Sequence, residues 1–197
     1  MPIRPNGISG ISLISDPARL FSYLGLLAPN VKTIHIAYSD RNHWLIKLAE
    51  IAADERGLKL NQKRVSSTAE AIDFYNSLFD SGLGSEDAIW LPLDRVSSQD
   101  KITLPLILEK AWSSEVAVFS SKPSHAKRGV LFSTYPDNSL LGERLFHMVN
   151  ELAESSVEKR FTALKSLQLA VNLRTAAHLG LKYSNEERQQ FKVTFPE

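Results

Sequence analysis

The 197 residues include 23 lysines and arginines against 22 acidic residues, a formal net charge of +1, so no net field draws the chain to nucleic acid or to an anionic membrane. With 43% hydrophobic and 23% charged residues, the composition is that of a globular domain able to bury a sizeable core. There is no cysteine, which excludes disulfides, thiolate metal sites and cysteine nucleophiles. The opening segment, MPIRPNGISGISL, has no apolar run of signal-peptide length, and no stretch approaches the roughly 18 apolar residues that span a bilayer. The expectation is a soluble chain without an export signal of its own.

In chain order, residues 7–13 read as a loop feeding a short extended segment. Ser15 or Asp16 is placed to cap a helix, with Pro17 in its first turn, where a missing N–H costs nothing. Leu20, Phe21, Leu24 and Leu27 follow at helical spacing until Pro29-Asn30 ends the run. Residues 31–38, VKTIHIAY, alternate as a strand does. A polar tip comes next, and then Trp44, Leu45, Leu48, Ile51 and Ala52 form the apolar stripe of a second helix closed by Gly57. The cycle repeats. Residues 58–65 read as a weaker strand, and Thr68 as the cap of a helix carrying Ala71, Ile72, Phe74, Tyr75 and Leu78. Residues 88–91 read as a buried strand. A helix over about residues 101–112 takes Pro105 in its first turn, and residues 116–119 form a fourth strand.

Regular alternation of strands and helices predicts an α/β fold, a Rossmann-like parallel sheet of right-handed βαβ units flanked by helices. Ligands of such sheets bind outside the carboxyl ends of the strands. The polar tips are therefore the candidates: residues 39–42, Ser66-Ser67, residues 92–95 and residues 120–123. Asp94, at a strand end beside Pro92, is placed either to accept a ligand ammonium or to cap a helix. Ser120 and Ser121 are placed either to donate to a ligand carboxylate or to do ordinary turn chemistry.

Further on, Lys127-Arg128-Gly129 read as a basic turn, residues 130–133 as a strand and residues 138–152 as a helix. Residues 153–165 read as a polar linker or frayed helix and residues 167–171 as a strand. Asn172 caps a short helix stopped by Gly180, Ser184 and Glu187 form a capping-box pattern, and residues 191–195 are extended. The five histidines are scattered, with no pair one helical turn apart, so no metal site is expected. Nor is there a dinucleotide fingerprint, a P-loop or a nucleophile elbow; no cofactor and no enzymatic activity are expected.

Several segments, in order, carry a resemblance. They are Gly10-Ile11-Ser12 with Asp16-Pro17; residues 27–32, LAPNVK; residues 87–94, DAIWLPLD; Tyr135-Pro136-Asp137; and residues 171–176, VNLRTA, with Leu179-Gly180-Leu181. Together they resemble the substrate-binding proteins of ABC transporters, over residues 7–196. The resemblance implies one lobe of a type I periplasmic-binding-protein fold, with residues 1–128 and 165–197 as the lobe. Residues 129–164 would be the crossover strand and helix that complete a missing first lobe. It also implies that Ser39, Asp40, Arg41 and Asn42, and with them Tyr135 and Asp137, face a ligand, although Arg41 equally suits an exposed salt bridge and Asp137 a helix cap. A periplasmic location, a small polar ligand such as an amino acid, and a membrane permease or membrane sensor as partner belong to the same implication, as does a homodimer through the exposed lobe interface. Two alternatives stand beside it: a sensory or protein-interaction domain derived from that fold, and a receiver-like phosphoacceptor using Asp40, Asp94, Ser120 and Lys122.

Overall fold

The computed structural model describes residues 9–154 and 161–196. Strand β1 (Gly10–Ser15) leads into helix α1 (Pro17–Leu27), and β2 (Thr33–Tyr38) passes through a single 3-10 turn (Asp40–Asn42) into α2 (His43–Asp54). Then come β3 (Lys59–Arg64), α3 (Thr68–Asp80), β4 (Asp87–Leu91), α4 (Thr103–Ser113), β5 (Ala117–Ser120), α5 (Ser124–Arg128), β6 (Phe132–Pro136) and α6 (Asn138–Glu154). After the undescribed residues, β7 (Phe161–Leu164), β8 (Leu167–Asn172), α7 (Leu173–His178), α8 (Asn185–Gln189) and β9 (Phe191–Phe195) complete the order.

Seven strands form one sheet in the order β3-β2-β4-β5-β6-β8-β9, parallel throughout except for the antiparallel pair β6 and β8. The chain moves outward from β2 to β3 and then returns across β2 to β4. The strand order thus reverses between β2 and β4, the place where doubly wound sheets open a crevice.

Both faces of the sheet are covered, and alternation along each strand sorts its side chains between them. Ile34, Ile36, Ala88, Trp90, Ala117 and Phe119 pack under α1 and α2; Ala37, Ile89, Leu91, Val116 and Val118 pack under α3 and α4. On the first face Trp90 lies opposite Phe119, and Phe119 opposite Phe132, in neighbouring strands. Their rings stack in a row, with centroids 6.2 Å and 5.1 Å apart, and Phe21 of α1 meets Trp90 edge-on at 5.5 Å. Trp90 is wholly buried, so its indole N–H needs a partner; it donates to Ser121 Oγ at 3.0 Å.

Local sequence signals set most helix ends. Asp16 caps α1 by accepting from the Ala18 amide, with Pro17 at the first helical position. Asn172 caps α7, and the Ser184–Glu187 capping box at α8 is complete. Gly57 (φ +64°) and Gly129 (φ +121°) end α2 and α5 in left-handed conformations that favour glycine. At α3 the cap is Ser67, one residue before the expected Thr68; its hydroxyl accepts from the Glu70 amide.

Three expectations need correction. The basic turn at residues 127–129 is the end of α5, and the next strand starts at Phe132, two residues later than expected. Part of the expected polar linker is β7, which pairs in parallel with β1 as a separate two-stranded sheet. Four residues are too few for alternation to betray a strand; residues 153 and 154 of that linker end α6, and residues 155–160 lie outside the described residues. Finally, the crossover strand does not stand apart from the lobe. β6 is an interior strand of the main sheet, held between β5 and β8, because Phe132 and Ser133 continue the core register of Phe119 and Ser120. Helix α6 leaves the main sheet, with Leu140, Leu145, Phe146 and Val149 exposed.

Because Phe119 touches Phe21, Trp90 and Phe132, its replacement by alanine leaves a cavity between the sheet and α1. Phe119→Ala is expected to cost about 3–5 kcal/mol, measured as a fall in the urea midpoint at unchanged slope.

Candidate functional site

A cleft of about 1420 Å³ opens over the carboxyl ends of β2, β3 and β4, at the reversal of strand order. Its floor comes from residues 39–42, 64–66 and 92–101, with Lys122 beyond them; Ser12 and Ile14 of β1 and Phe161 of β7 form one rim. Trp44, Leu93, Ile14 and Phe161 supply apolar wall.

Asp94 sits at the centre of this floor and is 7% exposed. One carboxylate oxygen accepts from the Ser39 amide (2.9 Å), the Ser39 hydroxyl (2.7 Å) and the Asn42 side-chain amide (2.7 Å); the other accepts from the amides of Val96 (2.8 Å) and Ser97 (3.0 Å). Burial alone would raise its pKa, but the donors from Ser39, Ser97 and Val96 outweigh that and hold the carboxyl below its ordinary value. Five donors fill a carboxylate's acceptor sites. Asp94 therefore ties the β2 tip to the β4 tip, and the side chains of Ser39 and Asn42 are spent on the same clasp.

The neighbouring acids are also engaged. Asp40 pairs with Arg64 across the β2 and β3 tips, at 2.6 Å from one guanidinium nitrogen, and the Glu70 carboxylate accepts from the Ser66 amide and hydroxyl. Asp100 accepts from Lys122 at 2.6 and 2.7 Å and from His125 Nε2 at 3.0 Å. Those hydrogen bonds, from Lys122 first and His125 second, push the Asp100 pKa down to about 2. The contact pins the loop of residues 92–102 to the region beyond β5.

His125 Nδ1 in turn lies 2.8 Å from Ser120 Oγ, so Ser120, His125 and Asp100 stand in the line of a nucleophilic triad. The line has no mouth. Ser120 and His125 are wholly buried, and the serine hydroxyl also lies 3.1 Å from the Leu91 carbonyl, so a substrate carbonyl cannot reach the oxygen as nucleophilic attack requires. Burial pushes the His125 pKa below its ordinary value despite the opposing hydrogen bond that its Nε2–H donates to Asp100.

Of the residues singled out from the sequence, Ser39, Asp40, Arg41, Asn42 and Asp94 are brought together in the cleft lining. Ser120 and Ser121 lie under it; both are buried and bonded within the core, to Leu91, His125 and Trp90. Tyr135 and Asp137 lie outside this cleft's lining. Asp137 caps α6 through the amides of Ser139 and Leu140 and accepts from Gln168. A receiver-like arrangement is not assembled: Asp94 has no open oxygen, Ser120 is buried and Lys122 is held by Asp100. Sequence reasoning did not reach Ser98 or Lys101, and took Arg95 only as part of the β4 tip. All three lie in the polar stretch after β4, which the strand-tip rule followed only as far as Arg95 without marking any of them as a ligand contact.

Residues 5–190 match the family model described as ABC transporter substrate binding protein. The chain belongs to the ABC transporter substrate-binding family. Among solved structures it resembles a conserved domain protein from Vibrio cholerae O1 biovar El Tor (19% identity, TM-score 0.69, 94% of this chain and 62% of that one). It also resembles an ABC domain from Streptococcus pneumoniae in complex with L-Trp (22%, 0.67, 91% and 60%). A third is a substrate-binding protein with adhesive properties from Clostridium difficile in its ligand-free, open form (20%, 0.65, 94% and 62%). At such identities the likeness establishes the type I periplasmic-binding-protein fold. The chain spans less than two thirds of each of these relatives. No curated protein matches the chain. Proteins of this family bind substrates for a membrane permease and are typically extracellular or periplasmic; among the described residues no helix is long and apolar enough to cross a membrane.

Asp94→Ala leaves buried donors from Ser39, Asn42, Val96 and Ser97 without their acceptor, and is expected to cost about 3 kcal/mol at pH 7. The folded-state pKa lies below the unfolded one, so this contribution is complete above about pH 4 and fades as the pH falls through the lowered value. Urea unfolding of both proteins from pH 7 to pH 3 is expected to show the gap narrowing only on the acid side.

Proposed function

We propose that this chain forms the second lobe of a substrate-binding protein and offers one wall of the site for a small polar molecule such as an amino acid, for delivery to a membrane permease. The observation that carries the reading is the cleft itself. It lies at the reversal of strand order, where sheets of this kind place ligands, and its floor is fixed by the Asp94 clasp while Arg41, Arg95 and Lys101 stay open to incoming groups. Among the described residues the cleft-lining acids are held in hydrogen bonds and ion pairs, which suits a site that binds.

The S. pneumoniae relative with L-Trp supports a ligand of amino-acid size. A half-open cleft encloses much less of such a ligand than the 70–90% typical of closed pockets, so tight binding requires a second wall that closes over it. The exposed apolar residues of α6, with β1 and β7 beside them, suit the attachment of that other lobe: more than a third of each of the three relatives lies outside the part shared with this chain.

Native mass spectrometry with a pooled set of amino acids, sugars and nucleosides is the test. A low-occupancy adduct of amino-acid mass on the monomer is expected. A stable ligand-free dimer would assign the α6 surface to self-association instead, and a bare monomer indifferent to the whole pool would overturn the reading.

A further inference from the structure

The loop of residues 92–102 supplies part of the cleft floor, and its far end is held by a cluster built around one titratable ring. His125 of α5 is wholly buried. Its Nε2 lies 3.0 Å from Asp100 Oδ1 and its Nδ1 lies 2.8 Å from Ser120 Oγ. An ionised carboxylate only accepts, so the proton of the neutral ring sits on Nε2, and the Ser120 hydroxyl donates to Nδ1. A second proton would enter at Nδ1 and donate to Ser120 Oγ, whose hydroxyl then turns to the Leu91 carbonyl, 3.1 Å away. Hydrogen bonding is complete in both states, but charge is not balanced in both. The ring faces three charged groups, Asp100 and the cations Lys122 and Arg128. Lys122 Nζ already lies 2.6 and 2.7 Å from the two Asp100 oxygens, and Arg128 lies 3.9 Å from one of them. An imidazolium would be a third cation on one carboxylate, inside the protein. A second observation concerns the loop itself. It buries the hydroxyls of Ser97 and Ser98, which have no hydrogen-bond partner among the described residues. Buried hydroxyls left unmade cost free energy, which places this segment toward the low end of local stability.

We propose that His125 is a proton-sensitive latch on the cleft floor: protonation of its ring favours release of α5 and of the far end of the 92–102 loop. The latch stands on the Asp100 cluster alone; its consequence, loss of a bound molecule on acidification, rests on the ligand-binding reading above. Burial, with Lys122 and Arg128 adding to it, holds the ring below its ordinary pKa of 6.5 against the pull of Asp100. A released ring in water titrates near that ordinary value. The closed loop is therefore at full stability above about pH 6.5 and loses it as the pH falls from there toward the lowered value. The opening equilibrium shifts by up to about tenfold for each pH unit between the two. Asp100, with its pKa of about 2, stays ionised through that window, so the loss comes from the ring. The Asp94 clasp still holds the near end of the loop through the Val96 and Ser97 amides, so the opening is local.

Amide hydrogen exchange of the whole chain from about pH 7.5 to about pH 5, corrected for the intrinsic pH dependence of exchange, is the test. Two amides report on the latch: Lys122, which donates to Ser120 Oγ, and Val130, which donates to the His125 carbonyl. Their opening constants are expected to rise by about threefold to tenfold on acidification, while those of α1 stay unchanged. His125→Gln keeps a donor for Asp100 but cannot titrate, so its profile is expected to be flat whatever its overall stability. A flat wild-type profile, or the same slope in His125→Gln, would overturn the latch. Should His125→Gln fail to fold, the ¹⁵N shifts of the His125 ring in the wild-type protein decide. A midpoint below 6.5, with the proton on Nε2 in the neutral ring, upholds the latch; a midpoint at or above 6.5 reverses the sign and overturns it. Neither readout involves a ligand, so the latch and the ligand-binding reading can fail separately.

Discussion

One buried carboxylate holds the strand tips at the carboxyl end of the sheet together. A parallel sheet whose strand order reverses leaves its two diverging loops without mutual backbone hydrogen bonds, so the tips of β2 and β4 would splay. Asp94 closes that gap by accepting from both tips at once. The cost of burying its charge is offset by those donors, which is why its pKa falls despite the burial. Everything around the cleft is indexed to this point: the 3-10 turn that presents Arg41, the loop that presents Arg95 and Ser98, and the Asp40–Arg64 pair that extends the rim to β3.

Beneath the clasp lies the buried aromatic row of Trp90, Phe119 and Phe132, and the two devices meet. The Trp90 indole reaches Ser121 at the tip of β5, and Ser120 beside it is joined through His125 to Asp100, which anchors the far end of the β4 loop. The loop is thus fixed at both ends by carboxylates, Asp94 and Asp100, while its middle keeps open side chains. Rigid ends with an unspent centre are what a preorganised binding surface requires.

Much of the fold was legible because its determinants are local or periodic. The spacing of Leu20, Phe21, Leu24 and Leu27, the Asp16-Pro17 start, the alternation in residues 31–38 and the Ser184–Glu187 box each specify structure within a few residues. β7 was not legible, since its partner β1 is far off in sequence and four residues carry no usable period. The placement of β6 escaped for a different reason: which sheet a strand joins depends on register with β5, a tertiary fact. The site divides in the same way. The strand-tip rule located Ser39 to Asn42 and Asp94, yet it could not say whether a tip side chain faces a ligand or a neighbouring tip. Ser120 and Ser121 satisfied the rule by position, and Asp137 was suggested by the family resemblance; all three are consumed by the protein's own hydrogen bonds. Ser98 shows the reverse: an unremarkable serine in sequence that becomes distinctive only because its buried hydroxyl lacks a partner.

The architecture of the cleft depends most on Asp94 being a structural acceptor and not a free acid awaiting a ligand amine. The direct test is a pH titration of the Asp94 side-chain carboxyl carbon by ¹³C NMR in the ligand-free protein. A midpoint below the ordinary value of 3.8, with the Ser39 and Ser97 amides moving in step, is the predicted result. A midpoint at or above that value, independent of those amides, would mean that the carboxylate is not clasped and that the cleft has a different centre.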